Sequence, residues 1–178
     1  MRIFAIAMVA AGMLAPAGAT TLQQLSMDDM IRKSTVIVRA KVLDSHAAFR
    51  GQDIYTFYHL QVLEGLSTGS TMQQIDVAVP GGSAKGKRQM VPGAVSLNAG
   101  EEYIIFLWTS RSGLTQVIGL SQGLFSVKTN PAGDPMLIRP ATTELMLDKS
   151  GHVVNDQPLS LRLSDVRSQI QRTLGAGK

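Results

Sequence analysis

The chain has 178 residues, enough for one domain with its own core. Hydrophobic residues make up 44% of it and charged residues 17%, a balance that excludes an intrinsically disordered chain. A formal charge of +4 does not mark a nucleic-acid binder, and the absence of cysteine excludes disulfides, thiol catalysis and thiolate metal sites.

The first nineteen residues have the three parts of an export leader. Arg2 gives a positive start, Ile3 to Leu14 is apolar and uncharged, and Ala17-Gly18-Ala19 offers the small-x-small pattern of a signal-peptidase site. The apolar run is shorter than the roughly 20 residues a membrane-spanning helix needs. A mature chain starting at Thr20 loses Arg2, so its charge falls to +3. Without cysteine, such a chain suits the bacterial periplasm or medium better than a disulfide-dense animal secretion.

Ser26 then reads as a helix N-cap, with Asp28 and Asp29 in the first turn and Arg32 and Lys33 in the last. Leu25 and Met30 have staple spacing, and the pattern predicts a helix over Met27 to Lys33. Beyond it the period changes to two. Val38, Ala40 and Val42 alternate with Arg39 and Lys41; Tyr58, Leu60 and Val62 form one face of a second strand; Ile75, Val77 and Val79 form one face of a third. Tyr103 to Trp108 is apolar on both faces and is expected to be covered on both sides. Gln116 to Ile118 and Leu124 to Lys128 are shorter strands. Asp148 to Gly151 reads as a turn joining Leu145-Met146-Leu147 to Val153-Val154. Ser164 can cap a final helix whose stripe is Val166, Ile170 and Leu174. Pro80-Gly81-Gly82, Pro92-Gly93, Asn98-Ala99-Gly100 and the run Asn130 to Pro135 separate the strands, and the stretch from Pro80 to Pro92 carries no strand or helix pattern.

These elements predict a mainly β fold, a small OB-like antiparallel barrel with a short N-terminal helix and a C-terminal helix. Residues 1–19 are the leader, and residues 20–178 form one domain. The run Asp29 to Val42, with Val36-Ile37-Val38-Arg39-Ala40-Lys41-Val42 at its end, resembles the opening helix and strand of the netrin-like OB-fold domains, to which the tissue inhibitors of metalloproteinases belong. Tyr55-Thr56-Phe57, Val62 to Gly65 and Gly100 to Leu107 are similar to that family's second and fourth strands. The same pieces, with Val79 to Gly82 and Gly119 to Phe125, resemble uncharacterised exported bacterial proteins. The resemblance covers about two-thirds of the mature chain and implies a fold. The animal inhibitors chelate the protease zinc with an N-terminal cysteine; here the mature end is Thr20-Thr21-Leu22, so no inhibitory residue carries over.

Two motifs look like chemistry. Gly119-Leu120-Ser121-Gln122-Gly123 matches the nucleophile elbow, with Asp148 and His152 following in hydrolase order, but a strand pattern stands where the elbow needs a helix. Gly81 to Arg88 approaches a phosphate-binding loop, but Arg88 replaces the hydroxyl that holds magnesium. His46, His59 and His152 are scattered without zinc-site spacing, so no metal and no cofactor is expected. The expectation is an exported, non-enzymatic domain, periplasmic or secreted, that binds a protein or an acidic envelope component. It has no nucleic-acid partner and no transmembrane segment in the mature chain. The candidate binding residues are Lys85, Lys87 and Arg88, clustered with no acidic residue between Pro80 and Pro92. The alternatives are a small hydrolase using Ser121, and a protease-inhibitor-like module.

Overall fold

The computed structural model describes residues 21–67, 72–142 and 144–176, so the leader over residues 1–19 lies outside the described residues. A short strand, Thr21–Gln23 (β1), leads into the predicted helix, Met27–Lys33 (α1). The Ser26 hydroxyl accepts from the Asp29 N–H at 3.1 Å, and the Asp29 carboxylate accepts from the Ser26 N–H at 3.3 Å. This is a complete capping box. The hydrogen bond from Ser26, helped by Lys149, pulls the Asp29 carboxyl down to about 2.

The alternating runs become Val36–Arg50 (β2), Asp53–Gly65 (β3), Gln74–Pro80 (β4) and Glu102–Thr109 (β7). Between β4 and β7 lie two three-residue strands, Gly82–Ala84 (β5) and Lys87–Gln89 (β6). After β7 come Thr115–Val117 (β8), Leu124–Thr129 (β9), Pro135–Arg139 (β10), Leu145–Leu147 (β11), Val153–Val154 (β12) and Leu159–Arg162 (β13). The helix Leu163–Gly175 (α2) ends the described chain.

The main sheet is antiparallel in the order β13-β10-β9-β7-β2-β3-β4, with β8 also paired to β7. A second sheet joins β1, β11 and β12, with β1 parallel to β11. β2 shifts register against β3 between Arg39 and Ala40 and between Val42 and Asp44. Bulges of this kind bend a strand and raise its twist, which lets a long hairpin curl.

The sheet is mainly β with two helices, as the sequence predicts, but it is not a closed barrel. Among the described residues its path ends at β13 and β4, and no ladder joins β4 to β8, although their Cα atoms come within 8 Å.

β7 separates two cores. Tyr103, Ile105 and Leu107 meet Val38, Ala40, Val42, Tyr58, Leu60, Val77, Val79 and Val117 on one side. Ile104 and Phe106 meet Met30, Ile31, Phe125, Leu137, Leu163, Val166 and Ile170 on the helical side. Tyr103 to Leu107 are therefore covered on both sides, as expected of a two-faced apolar strand, while Trp108 at the end of the run is 46% exposed.

One helix boundary differs from the sequence reading. α2 starts at Leu163, and Arg162, not Ser164, occupies the cap position without a side-chain cap bond. β13 runs directly into the helix, and burial of Leu163 in the second core sets the start. Packing outweighs cap chemistry here. Among the described residues no helix is long and apolar enough to cross a membrane.

Candidate functional site

The stretch from Pro80 to Pro92 is not irregular. β5 and β6 form a hairpin with Gly82 opposite Gln89, Ser83 opposite Arg88 and Ala84 opposite Lys87. Residues at its tip, Lys85 (φ 48°) and Gly86 (φ 74°), are both left-handed, the conformation of a primed two-residue turn. No hydrophobic alternation marks these strands, because tertiary bonds hold them. The Gly81 N–H donates to the Ile54 carbonyl at 2.8 Å, the Ile54 N–H donates to the Gln89 side chain at 2.7 Å, and the Thr56 hydroxyl donates to the Gly81 carbonyl at 2.9 Å.

Gly82 makes the seat possible. Its φ is +136°, and a Cβ there would stand 2.6 Å from the Thr56 hydroxyl and 3.1 Å from the Ala47 Cβ. The hairpin thus lies directly on the β2–β3 surface and projects Lys85, Lys87 and Arg88 into solvent. Among the described residues none of the three makes an ion pair.

Two adjoining clefts flank the hairpin base and share Val79, Pro80 and Val95. One, of about 350 Å³, runs between the hairpin and the loop after it and includes Arg88 and Met90. The other, of about 270 Å³, follows the junction of β4 and β8 and includes Trp108, Gln116 and Leu120. Met90 is 78% exposed and Trp108 46% exposed. Trp108 stands at the end of β7 and belongs to neither core.

The Ser121 constellation does not assemble. Ser121 sits in the turn between β8 and β9, and its Oγ is buried without a hydrogen-bond partner. It lines a cleft with Arg139, Thr142 and Glu144, which neither Asp148 nor His152 enters. His152 belongs to the β11–β12 turn, where its ring lies 3.4 Å from Asp148 with 79% of the side chain exposed. A nucleophile without a base in hydrogen-bond reach has nothing to activate it. The strained residue of this turn is its neighbour Leu120, at φ 63°.

The other histidines are separate too. His46 stacks on Phe57 with ring centroids 5.5 Å apart. His59 meets Asp76 across β3–β4 at 2.7 Å, and that hydrogen bond raises its pKa above the usual 6.5. Among the described residues no three His, Cys, Asp or Glu side chains are grouped to hold a metal.

Two structural polar residues carry no sequence signature. Gln122 is 2% exposed; its amide oxygen accepts from the Leu25 N–H at 2.8 Å, and its amide nitrogen donates to the Gln23 carbonyl at 3.0 Å. Arg139 forms a forked pair with Asp156, both bonds 2.9 Å, with the two side chains 8% and 3% exposed. Burial alone would push the Asp156 carboxyl up, but Arg139 and the Thr142 N–H outweigh it and hold the pKa below its usual value. Such distant partners are invisible to spacing arguments. No protein-family model, curated protein or solved structure matches the chain.

Proposed function

We propose that this is an exported binding domain that engages a protein or an acidic envelope component through the β5–β6 hairpin. The observation that carries the reading is the hairpin itself. Three cations, Lys85, Lys87 and Arg88, stand exposed on a short ladder pinned to the sheet, without a carboxylate partner among the described residues. Loops and tips held on a rigid scaffold are where binding functions concentrate. Clustered positive charge raises the on-rate of an acidic partner and makes it salt-dependent.

Export is supported by the pattern from Arg2 to Ala19 and by the lack of cysteine. An OB-like curl is supported by the way β2, β3, β4, β7 and β8 send side chains to one core, and by the approach of β4 to β8. On this reading the likeness to netrin-like domains is one of architecture, and the inhibitory chemistry of that group is not carried over.

The test uses the mature chain, whose intact mass should begin at Thr20. Retention on vesicles containing anionic phospholipid and on an immobilised acidic polypeptide is measured against salt. Changing Lys85, Lys87 and Arg88 together to Ser should flatten the salt dependence and weaken retention about tenfold or more at low salt, the scale expected for losing three charge contacts of about 0.5–1 kcal/mol each. Unchanged retention and slope on both supports would refute the hairpin as the binding surface.

A further inference from the structure

We propose that the cleft beside Ser121 binds a small neutral ligand rich in hydroxyl groups, of the chemical class of sugars. This site is separate from the hairpin and does not depend on it.

The cleft measures about 450 Å³, within the range of small-molecule sites. It is bounded by the loop over residues 93–96, by β9 and β10, and by the chain that follows β10. Among the described residues four buried side-chain polar atoms lack a hydrogen-bond partner: Ser121 Oγ, Thr142 Oγ1 and the Nε atoms of Arg139 and Arg167. Three of the four belong to residues that line this one cleft. Such atoms have given up water without compensation, and native structures hold few of them. Two other hydroxyls of the cleft are engaged: Tyr103 donates to Glu101 at 2.8 Å, and Ser126 to the Ile138 carbonyl at 3.2 Å. Arg139 is 6% exposed, and its two terminal nitrogens are spent on Asp156, so Nε–H is the donor left over.

The chemistry of these groups selects the ligand. The Ser121 and Thr142 hydroxyls donate or accept, the Arg139 Nε–H only donates, and the Glu144 carboxylate, which also lines the cleft, only accepts. Glu144 lies close against Gly93, where a Cβ would stand 2.7 Å from its Oε1. A carboxylate or phosphate ligand brings acceptors alone. It meets Glu144 as a like charge, while the charge of Arg139 is already matched by Asp156. An ammonium ligand brings donors alone and leaves the Nε–H without an acceptor. A sugar hydroxyl both donates and accepts, so neighbouring hydroxyls on one ring serve all four groups. Val95, Leu124, Ile138 and Pro140 supply apolar surface for the C–H face of the ring. The two orphan hydroxyls are shielded from bulk water, and rotation about one side-chain bond, χ1, brings each to bear on a bound ligand.

The mature chain, labelled with nitrogen-15, is titrated with glucose, galactose, N-acetylglucosamine and maltose. Concentrated sugars stabilise any protein by exclusion from its surface, so the readout is local. At least one of these sugars should move the amide signals of Ser121, Thr142 and Glu144 saturably, while those of the hairpin stay in place. Acetate, phosphate and methylammonium should leave all of them unmoved. Ser121→Ala, which removes a hydroxyl with no partner in the fold, should weaken binding about fivefold, the scale of one neutral hydrogen bond. Thr142→Val, of nearly the same shape, should do the same. The hairpin triple Ser variant should bind the sugar as the wild type does.

The proposal is overturned if none of the four sugars gives a saturable shift at these amides up to tens of millimolar, a result that leaves the hairpin reading intact. It is also overturned if a sugar binds but ignores both Ser121→Ala and Thr142→Val, since the orphan hydroxyls then play no part. Saturable binding of acetate, phosphate or methylammonium at the same amides, in competition with the sugar, overturns the neutral class.

Discussion

Gln122 and Ser121 are neighbours in one turn, yet they carry opposite weight. Gln122 satisfies two backbone groups of the N-terminal segment, nearly a hundred residues away in sequence. Its removal leaves the Leu25 N–H and the Gln23 carbonyl without partners in a half-buried place. Each orphaned group costs about 1–3 kcal/mol. Gln122→Ala should therefore lower the denaturation midpoint clearly, and the Leu25 amide should exchange with solvent faster. The Ser121 hydroxyl has no partner to lose, so Ser121→Ala should leave the midpoint within experimental error or raise it slightly. A midpoint for Gln122→Ala equal to the wild type would show that the N-terminal segment is held by β1–β11 pairing alone. The G-x-S-x-G pattern draws the eye to the serine, whereas the structural work falls on the glutamine beside it.

Among the elements, the hairpin depends most on a single position. Gly82 combines a left-handed backbone with a floor formed by Thr56 and Ala47 that leaves no room for a methyl group. Gly82→Ala should cost about 1–3 kcal/mol from the backbone term alone. The contact at 2.6 Å would also lift β5 away from β2 and β3. Loss of the cross-strand signals between β5 and the Ala47–Thr56 region in a nuclear Overhauser spectrum would report that movement, and their persistence would count against it. The elements show what a sequence can and cannot disclose. β2, β3, β4 and β7 were legible because each buries one or both faces of an alternating run. α1 was legible because its cap, charges and staple are local. β5 and β6 carry no such pattern, and β13 alternates over only four residues; they form through partners far along the chain, such as Gln89 with Ile54 and Leu161 with Leu137. The candidate cations were legible as a charge cluster, but not as a hairpin.

At the scale of the whole molecule, β7 belongs to both cores and decides how the protein comes apart. Phe106 faces the helical side, where it meets Phe125 edge-on at 5.9 Å, and Leu107 faces the other core. Both are fully buried. If the cores were independent, damage on one side would leave the other standing, and unfolding would split into two steps. A shared central strand cannot release one face while keeping the other, because its backbone bonds to β2, β8 and β9 hold both. α1 and α2 are tied to the same unit through Gln169 and Thr173, which both donate to Asp28 at 3.0 Å. Phe106→Ala should cost about 3–5 kcal/mol and Leu107→Ala about 2–5 kcal/mol. In each variant the loss should appear as one cooperative transition. Trp108 emission follows the exposed end of β7, while far-UV circular dichroism follows the whole fold including α2. In urea the two curves should coincide for the wild type and for both variants, with lower midpoints and the same slope. Two separated transitions in Phe106→Ala, with helical signal lost before the Trp108 change, would mean that the helical side unfolds by itself and that β7 does not couple the cores.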